Sequence, residues 1–328
     1  MRTTRRKFLN NTLLTGIALS STSITSGKAL SSFDHLGSKG ISAEKDAFKI
    51  SIFSKHLQWL NFTDMARTVK YIGFDGVDLT VRPGGHVSPE NVAEDLPKAV
   101  DAIRKAGIEV FMITTAIKSA REPHAESILK AANSAGIRHY RMGWLDYDDS
   151  KSVEENLITI ESALRELAQL NKQYTISGEY QNHSGVYFGA PIWDLHAVLK
   201  KIDSPWLGSQ YDILHATVEG SNAWPIGFKL LRPFIKSLDI KDFQWSKKDG
   251  KGVAEVVPLG EGLVDYKKFL SLVKQLKIQV PISVHFEFPL GGAENGATTL
   301  TMNKDEVVTA MKKDCLRIRQ MLHDAGLV

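Results

Sequence analysis

The sequence predicts one (β/α)8 (TIM) barrel behind a short targeting segment. Three observations carry that expectation. From about residue 47, eight short runs rich in β-branched and aromatic residues alternate with eight amphipathic stretches. The alternating part is about 280 residues long, the size of one such barrel. No Gly-x-Gly-x-x-Gly follows the first strand run, which argues against a dinucleotide-binding open sheet.

The strand runs are read at 48–53, 76–81, 109–114, 138–143, 174–181, 208–212, 235–241 and 282–288. Helical periodicity is read at 62–72, 92–106, 124–135, 153–170, 191–201, 228–234, 266–275 and 304–325. Ser152 and Asp265 stand where an N-cap accepts free backbone N–H groups, and Gly107 and Gly136 follow helices where a left-handed residue ends them. The barrel domain is placed at 47–328, after a linker at 31–46.

The chain has 328 residues with 41 Lys+Arg, 37 Asp+Glu and a formal charge of +4. Its 43% hydrophobic and 24% charged content is that of a folded protein, not a disordered or fibrous one. One cysteine, Cys315, excludes an internal disulfide framework and a Cys-rich zinc site.

The basic excess is local. Residues 1–30 hold Arg2, Arg5, Arg6, Lys7 and Lys28 and no acid, so 36 basic residues face 37 acidic ones in the remainder. A charged start, the apolar stretch 13–19 and small residues up to 30 follow the grammar of an export signal, and the stretch is too short to span a bilayer. Thr4-Arg5-Arg6-Lys7-Phe8-Leu9 resembles a twin-arginine signal. The expected location is the periplasm, with no stable membrane anchor. A near-neutral mature chain is not expected to bind nucleic acid.

Catalytic groups of such a barrel lie at the C-terminal ends of its strands, and side chains alternate in and out with period two. On that parity Glu179, Gln181 and His183 share one face of the fifth strand. Asp212 ends the sixth and leads to His215. Asp239 and Lys241 share a face of the seventh, and His285 and Glu287 a face of the eighth. Four successive strands thus end in carboxylate, amide and imidazole groups, donors that suit a divalent ion such as Mn2+, Mg2+, Co2+ or Zn2+.

Tyr211-Asp212-Ile213-Leu214-His215, Asp239-Ile240-Lys241-Asp242-Phe243, Pro258-Leu259-Gly260-Glu261-Gly262-Leu263-Val264-Asp265 and the run 282–287 resemble the xylose isomerase-like TIM barrels, the sugar phosphate isomerase/epimerase superfamily. That resemblance implies one divalent ion held by Glu, Asp, His and Glu on strands five to eight, with the two glutamates moving the proton. Carried over, Asp212 and the nearby His215 match outright. Asp239 stands at the position of the usual His, Gln181 at that of the first Glu (Glu179 on the alternative spacing of three residues before the Asn) and His285 at that of the second, with Glu287 two residues further along the same face. The implied ligands are therefore Gln181, Asp212, Asp239 and His285. Neutral Gln cannot act as a base, so proton transfer falls to Glu179, His285, Glu287 or Lys241, the last only with a depressed pKa.

His56, Trp59, His86, Arg141, His183 and His215 supply directed polar groups and an aromatic face for carbohydrate hydroxyls. The resulting expectation is a metal-dependent sugar isomerase or epimerase that removes the proton beside a carbonyl, with a lyase outcome open and a homo-oligomer not excluded. Two alternatives remain: a non-catalytic sugar-binding barrel, and a phosphodiesterase resembling endonuclease IV, which requires a three-zinc cluster.

Overall fold

The computed structural model describes residues 48–328; the export signal and linker expected over 1–46 lie outside the described residues. Eight parallel strands close a barrel: β1 (Ile50–Phe53), β2 (Gly76–Thr80), β3 (Glu109–Thr114), β4 (His139–Arg141), β5 (Ser177–Gln181), β6 (Leu207–Asp212), β7 (Ile235–Ile240) and β10 (Ile282–Val284). Closure is between β1 and β10, with Ser51 opposite Ser283, and β10 meets β7 with Ser283 opposite Asp239. The helices are α1 (Phe62–Ile72), α2 (Val92–Lys105), α3 (Ala125–Ser134), α4 (Val153–Gln173), α5 (Trp193–Ile202), α6 (Ile213–Gly220), α7 (Trp224–Leu231), α8 (Tyr266–Gln275) and α9 (Lys304–Asp324). Among the described residues no helix is long and apolar enough to cross a membrane.

Local chemistry explains the boundaries. Ser152 and Glu155 exchange side-chain-to-backbone bonds in a capping box that starts α4, satisfying two otherwise free N–H groups. Asp265 caps α8 by accepting from Lys268 N at 2.9 Å.

Three elements differ from the sequence-based reading. An antiparallel hairpin, β8 (Asp242–Lys248) and β9 (Lys251–Val257), follows β7. Its turn is Asp249-Gly250, with φ of 50° and 80°, the pair of positive angles that a two-residue hairpin favours. The short helix expected at 228–234 is α7, and α6 precedes it directly on β6. The eighth barrel strand ends at Val284 rather than 288 because the chain turns over the barrel mouth there: Phe286 N donates to His56 Nε2 at 3.0 Å.

Alternate strand positions divide two environments. Ile52, Leu79, Ile113, Tyr140, Tyr180, Tyr211, Leu238 and Val284 are buried in the apolar core. The other parity is largely polar, and its members bond across the lumen as well as between neighbouring strands. Asp78 on β2 accepts from Thr114 Oγ1 (2.8 Å) and from Ser283 Oγ of β10 (2.9 Å). Gln210 on β6 reaches Met112 on β3. The lumen is thus a stack of polar layers rather than the branched-aliphatic filling common in such barrels.

Candidate active site

The uppermost lumen layer is a connected polar network. Gln181, at the end of β5, is oriented by Arg141 from β4, whose Nη1 donates to Gln181 Oε1 at 3.0 Å. Guanidinium is donor-only, so the amide oxygen must face it and the amide nitrogen must face away. That nitrogen donates to Asp212 Oδ2 at 3.0 Å and Asp239 Oδ2 at 2.6 Å.

Asp212 is held from several sides. Its backbone N–H donates to Asn182 Oδ1 and its carbonyl accepts from Asn182 Nδ2, both at 2.9 Å. As N-cap of α6 its Oδ1 accepts from His215 N at 3.1 Å. Its Oδ2 also lies 3.1 Å from Lys241 Nζ. Lys241 Nζ donates in turn to Glu287 Oε2 at 3.0 Å, and Lys55 Nζ reaches Glu287 Oε1 at 3.3 Å. His285 lies flat on the Phe53 ring at 4.5 Å, its Nε2 3.4 Å from Asp239 Oδ1 and its Nδ1 3.8 Å from Glu287 Oε1. Those are ion-pair rather than hydrogen-bond distances, and both ring nitrogens and Asp239 Oδ1 are buried without a hydrogen-bond partner.

The charges follow from this packing. Burial alone would lower the Lys241 pKa, but Asp212, Glu287 and Asp239 outweigh it and hold the ammonium well above its usual range. Burial would raise that of Glu287, but Lys241, His285 and Lys55 hold it well below the carboxylate range. His285 is raised, since Asp239 and Glu287 overcome its desolvation. His183 and His215 are lowered, first by burial and then by Lys241.

A profile of the family described as "Xylose isomerase-like TIM barrel" matches residues 66–302, 237 of the 328 residues. The chain belongs to the xylose isomerase-like TIM barrel family. No curated protein matches it in sequence. Solved structures similar to this xylose isomerase-like barrel include the probable 3-DHS dehydratase AsbF from Bacillus anthracis, at 18% identity and TM-score 0.62 over 82% of this chain and 99% of that one. The 3-keto-D-glucoside 4-epimerase YcjR from E. coli aligns at 12% identity and TM-score 0.62, over 83% and 99%. A D-allulose 3-epimerase from Methylomonas sp. aligns at 15% and 0.61, over 84% and 98%. Identities this low establish a shared fold.

The residues here do not fit the divalent ion that the xylose isomerase-like family implies. Gln181, Asp212, Asp239 and His285 converge, but upon one another. Gln181 presents N–H groups, not an oxygen, to the two carboxylates. Asp212 Oδ2 is taken by that amide and by Lys241. Among the described residues no group of three or more His, Cys, Asp or Glu side chains is placed to hold a metal.

The four residues considered for proton transfer also separate. Glu179 faces the lumen one layer too deep: it pairs with His139 Nδ1 at 2.6 Å and accepts from Ser237 Oγ, and is fully buried. Lys241 is held protonated and is therefore an acid, not a base. Glu287 reaches the mouth, its side chain 25% exposed, but two lysines pin it. His285 lies on the floor.

Of the sugar-binding candidates, Arg141, His183 and His215 gather at the mouth: the two imidazole rings approach to 3.8 Å, tilted by 40°, His183 meets Trp144 at 4.3 Å, and Arg141 lies over both Phe53 and Trp144. His183 Nδ1 donates to the Ser184 carbonyl at 2.9 Å, which leaves Nε2 as its basic nitrogen. His56, Trp59 and His86 are instead committed to backbone. His56 Nδ1 donates to Ala293 O and its Nε2 accepts from Phe286 N; Trp59 Nε1 donates to His56 O; His86 Nε2 donates to Leu57 O, and burial lowers its pKa to about 4. These three hold the β1 loop against its neighbours.

Sequence reading passed over Phe53, Asp78, Trp144 and Ser237. The parity signal was present for Asp78 and Ser237, each a polar residue inside an otherwise apolar strand. Phe53 gave no signal, because a hydrophobic strand end reads as core. Asp242 is a further case: its carboxylate accepts from Phe243, Gly260, Gly262 and Val264 N–H groups at 2.9 to 3.1 Å. The Gly-Glu-Gly-x-Val-Asp loop is therefore wrapped on Asp242, beside Lys241.

Proposed function

We propose that the chain is a sugar isomerase/epimerase-like enzyme that moves a proton at the carbon beside a carbonyl of a sugar or keto-sugar, and that it acts after export. The observation that supports this reading best is the joint placement, at the C-terminal mouth of a xylose isomerase-like barrel, of a fixed ammonium, a neutral imidazole with a free nitrogen and a second imidazole between carboxylates. The fold likeness to two sugar epimerases and a probable dehydratase agrees with it.

The chain's residues divide the work. Lys241 uses two of its N–H groups on Asp212 and Glu287 and keeps a third for a substrate oxygen. His285, whose pKa Asp239 and Glu287 raise against its desolvation, adds positive charge beneath the same mouth when it carries its second proton. Both stabilise negative charge that develops on a carbonyl oxygen as the adjacent C–H bond breaks. His183 Nε2 accepts that proton. Donation of a solvent-derived proton to the opposite face of the same carbon gives epimerisation, delivery of the His183 proton to the neighbouring carbon gives isomerisation, and its delivery to a β-hydroxyl that departs as water gives a lyase. Trp144 and Arg141 line the sugar-facing wall.

A second reading, a non-catalytic sugar-binding barrel, is favoured by one observation: protein cations or amide donors already pair with Asp212, Asp239 and Glu287. Incubation of the mature protein in D2O with a panel of aldoses, ketoses and 3-keto-glucosides, followed by 1H NMR, separates the two. Loss of a proton signal next to the carbonyl, abolished in Lys241→Met, supports the enzyme. Ligand binding without exchange supports the binding barrel, and the absence of both exchange and binding overturns the sugar reading.

A further inference from the structure

We propose that the resident cation of this site is the ammonium of Lys241, and that the barrel works with it instead of a divalent metal ion. Three features at the mouth point the same way. The first is the orientation of Gln181. Arg141 has no acceptor to offer, so it fixes the amide oxygen on itself and turns both amide N–H groups toward Asp212 and Asp239. Where a metal site needs a lone pair, this one presents protons.

The second feature is the saturation of Asp212. Oδ1 is bound to the α6 N-terminus, and Oδ2 receives both Gln181 and Lys241. The family resemblance implies Glu at the position of Gln181 and His at the position of Asp239. The combination is what differs: Gln181 removes a charge and a donor atom, and Asp239 replaces an imidazole ligand, so the ammonium becomes the principal neutralising group of the cluster.

The third feature is how firmly Lys241 is held. Its side chain is 1% exposed and bridges Asp212 to Glu287. Its carbonyl accepts from Tyr266 Oη at 2.8 Å. Asp242, next in the chain, gathers four backbone N–H groups of its own strand and the following loop. An ammonium positioned by both its carboxylates and its backbone is organised in advance, as an electrophile must be to act without rearrangement. Its third N–H is the group that meets the substrate oxygen.

The inference shares its site with the proposed function, but a binding measurement tests it independently of any reaction. Purified mature protein is dialysed against EDTA and titrated with Mn2+, free Mn2+ being followed by electron paramagnetic resonance and thermal stability by circular dichroism. The expected wild-type result is no stoichiometric Mn2+ uptake at millimolar metal and a melting temperature unaffected by EDTA or Mn2+. The double variant Gln181→Glu/Lys241→Met, which restores a carboxylate and removes the ammonium, is expected to bind Mn2+ at least roughly tenfold more tightly than wild type. One Mn2+ per wild-type chain, lost in Asp212→Asn, overturns the proposal. The wild-type titration decides the matter even where the double variant does not fold. Mn2+ binding by wild type would leave the enzyme reading intact, whereas absence of proton exchange would leave the resident-cation assignment intact.

Discussion

Gln181 on β5 donates its amide nitrogen to Asp239 on β7 at 2.6 Å, across the intervening strand β6. The bond spans the lumen, so it ties two non-neighbouring strands at the level where substrate would sit. Gln181→Glu puts a third carboxylate against Asp212 and Asp239 and removes two donors. Breaking a buried polar pair this way costs about 2–4 kcal/mol. The expected outcome is a melting temperature several degrees below wild type at pH 8, with the gap narrowing at pH 5 as the new carboxyl takes a proton. Equal melting temperatures at pH 8 would show that Gln181 does not hold these carboxylates together.

Glu179 belongs to the layer beneath, with His139 and Ser237. Glu179→Gln is therefore expected to leave turnover little changed while lowering stability. Desolvation pulls the His139 pKa down, but Glu179 outweighs it and the net shift is upward. A raised imidazole contributes fully below its unfolded value of about 6.5 and loses that contribution as pH climbs through the folded value. Melting curves between about pH 5.5 and 9 should fall with rising pH in wild type and flatten in the variant. A variant that loses activity at unchanged stability would return Glu179 to the reaction.

These two layers show what was legible in the sequence. Period-two parity located Glu179, Gln181, Asp239, Lys241, His285 and Glu287 on lumen-facing positions, because strand geometry fixes direction whatever the partners. It ordered depth along one strand, Gln181 ending β5 nearer the mouth than Glu179, but not between strands, where only the stagger decides which residues share a layer. Nor could it say what an amide does, since the Gln181 orientation is imposed by Arg141, a residue 40 positions away in sequence. The resemblance to metal-binding relatives named convergent residues but not their donor atoms. The β8–β9 hairpin was readable from Asp249-Gly250, but the lysines flanking that turn obscured its strand pattern.

The loop on Asp242 gives a third expectation. Asp242→Ala strands four backbone N–H groups and is expected to destabilise the fold by about 3–5 kcal/mol. Gly262→Ala should act in the same direction, because a Cβ there collides with the Asp242 carboxylate and with the Phe243 carbonyl. The milder Tyr266→Phe removes only the bond to the Lys241 carbonyl. It is expected to lower kcat for proton exchange more than it raises KM, with a melting temperature close to wild type. A change confined to stability would place this loop outside the positioning of Lys241.

Asp78 supplies the clearest pH dependence. It is completely buried in the lumen, with hydroxyl donors from Thr114 and Ser283 as its partners. Desolvation, reinforced by Asp239, raises its pKa from 3.8 to about 6, against the lowering effects of His285 and Arg141. The folded protein therefore binds a proton that the unfolded chain has already released at pH 5. Stability from this group is greatest below about pH 4 and declines as pH rises to about 6, after which the deficit is constant at about 3 kcal/mol. Asp78→Asn keeps the shape and carries no charge. Its expected signature is a higher melting temperature than wild type at pH 7.5 and a smaller advantage at pH 4.5, measured by calorimetry on the same preparation. A uniform shift at both pH values would mean that the substitution acts through packing and that Asp78 is not the titrating group.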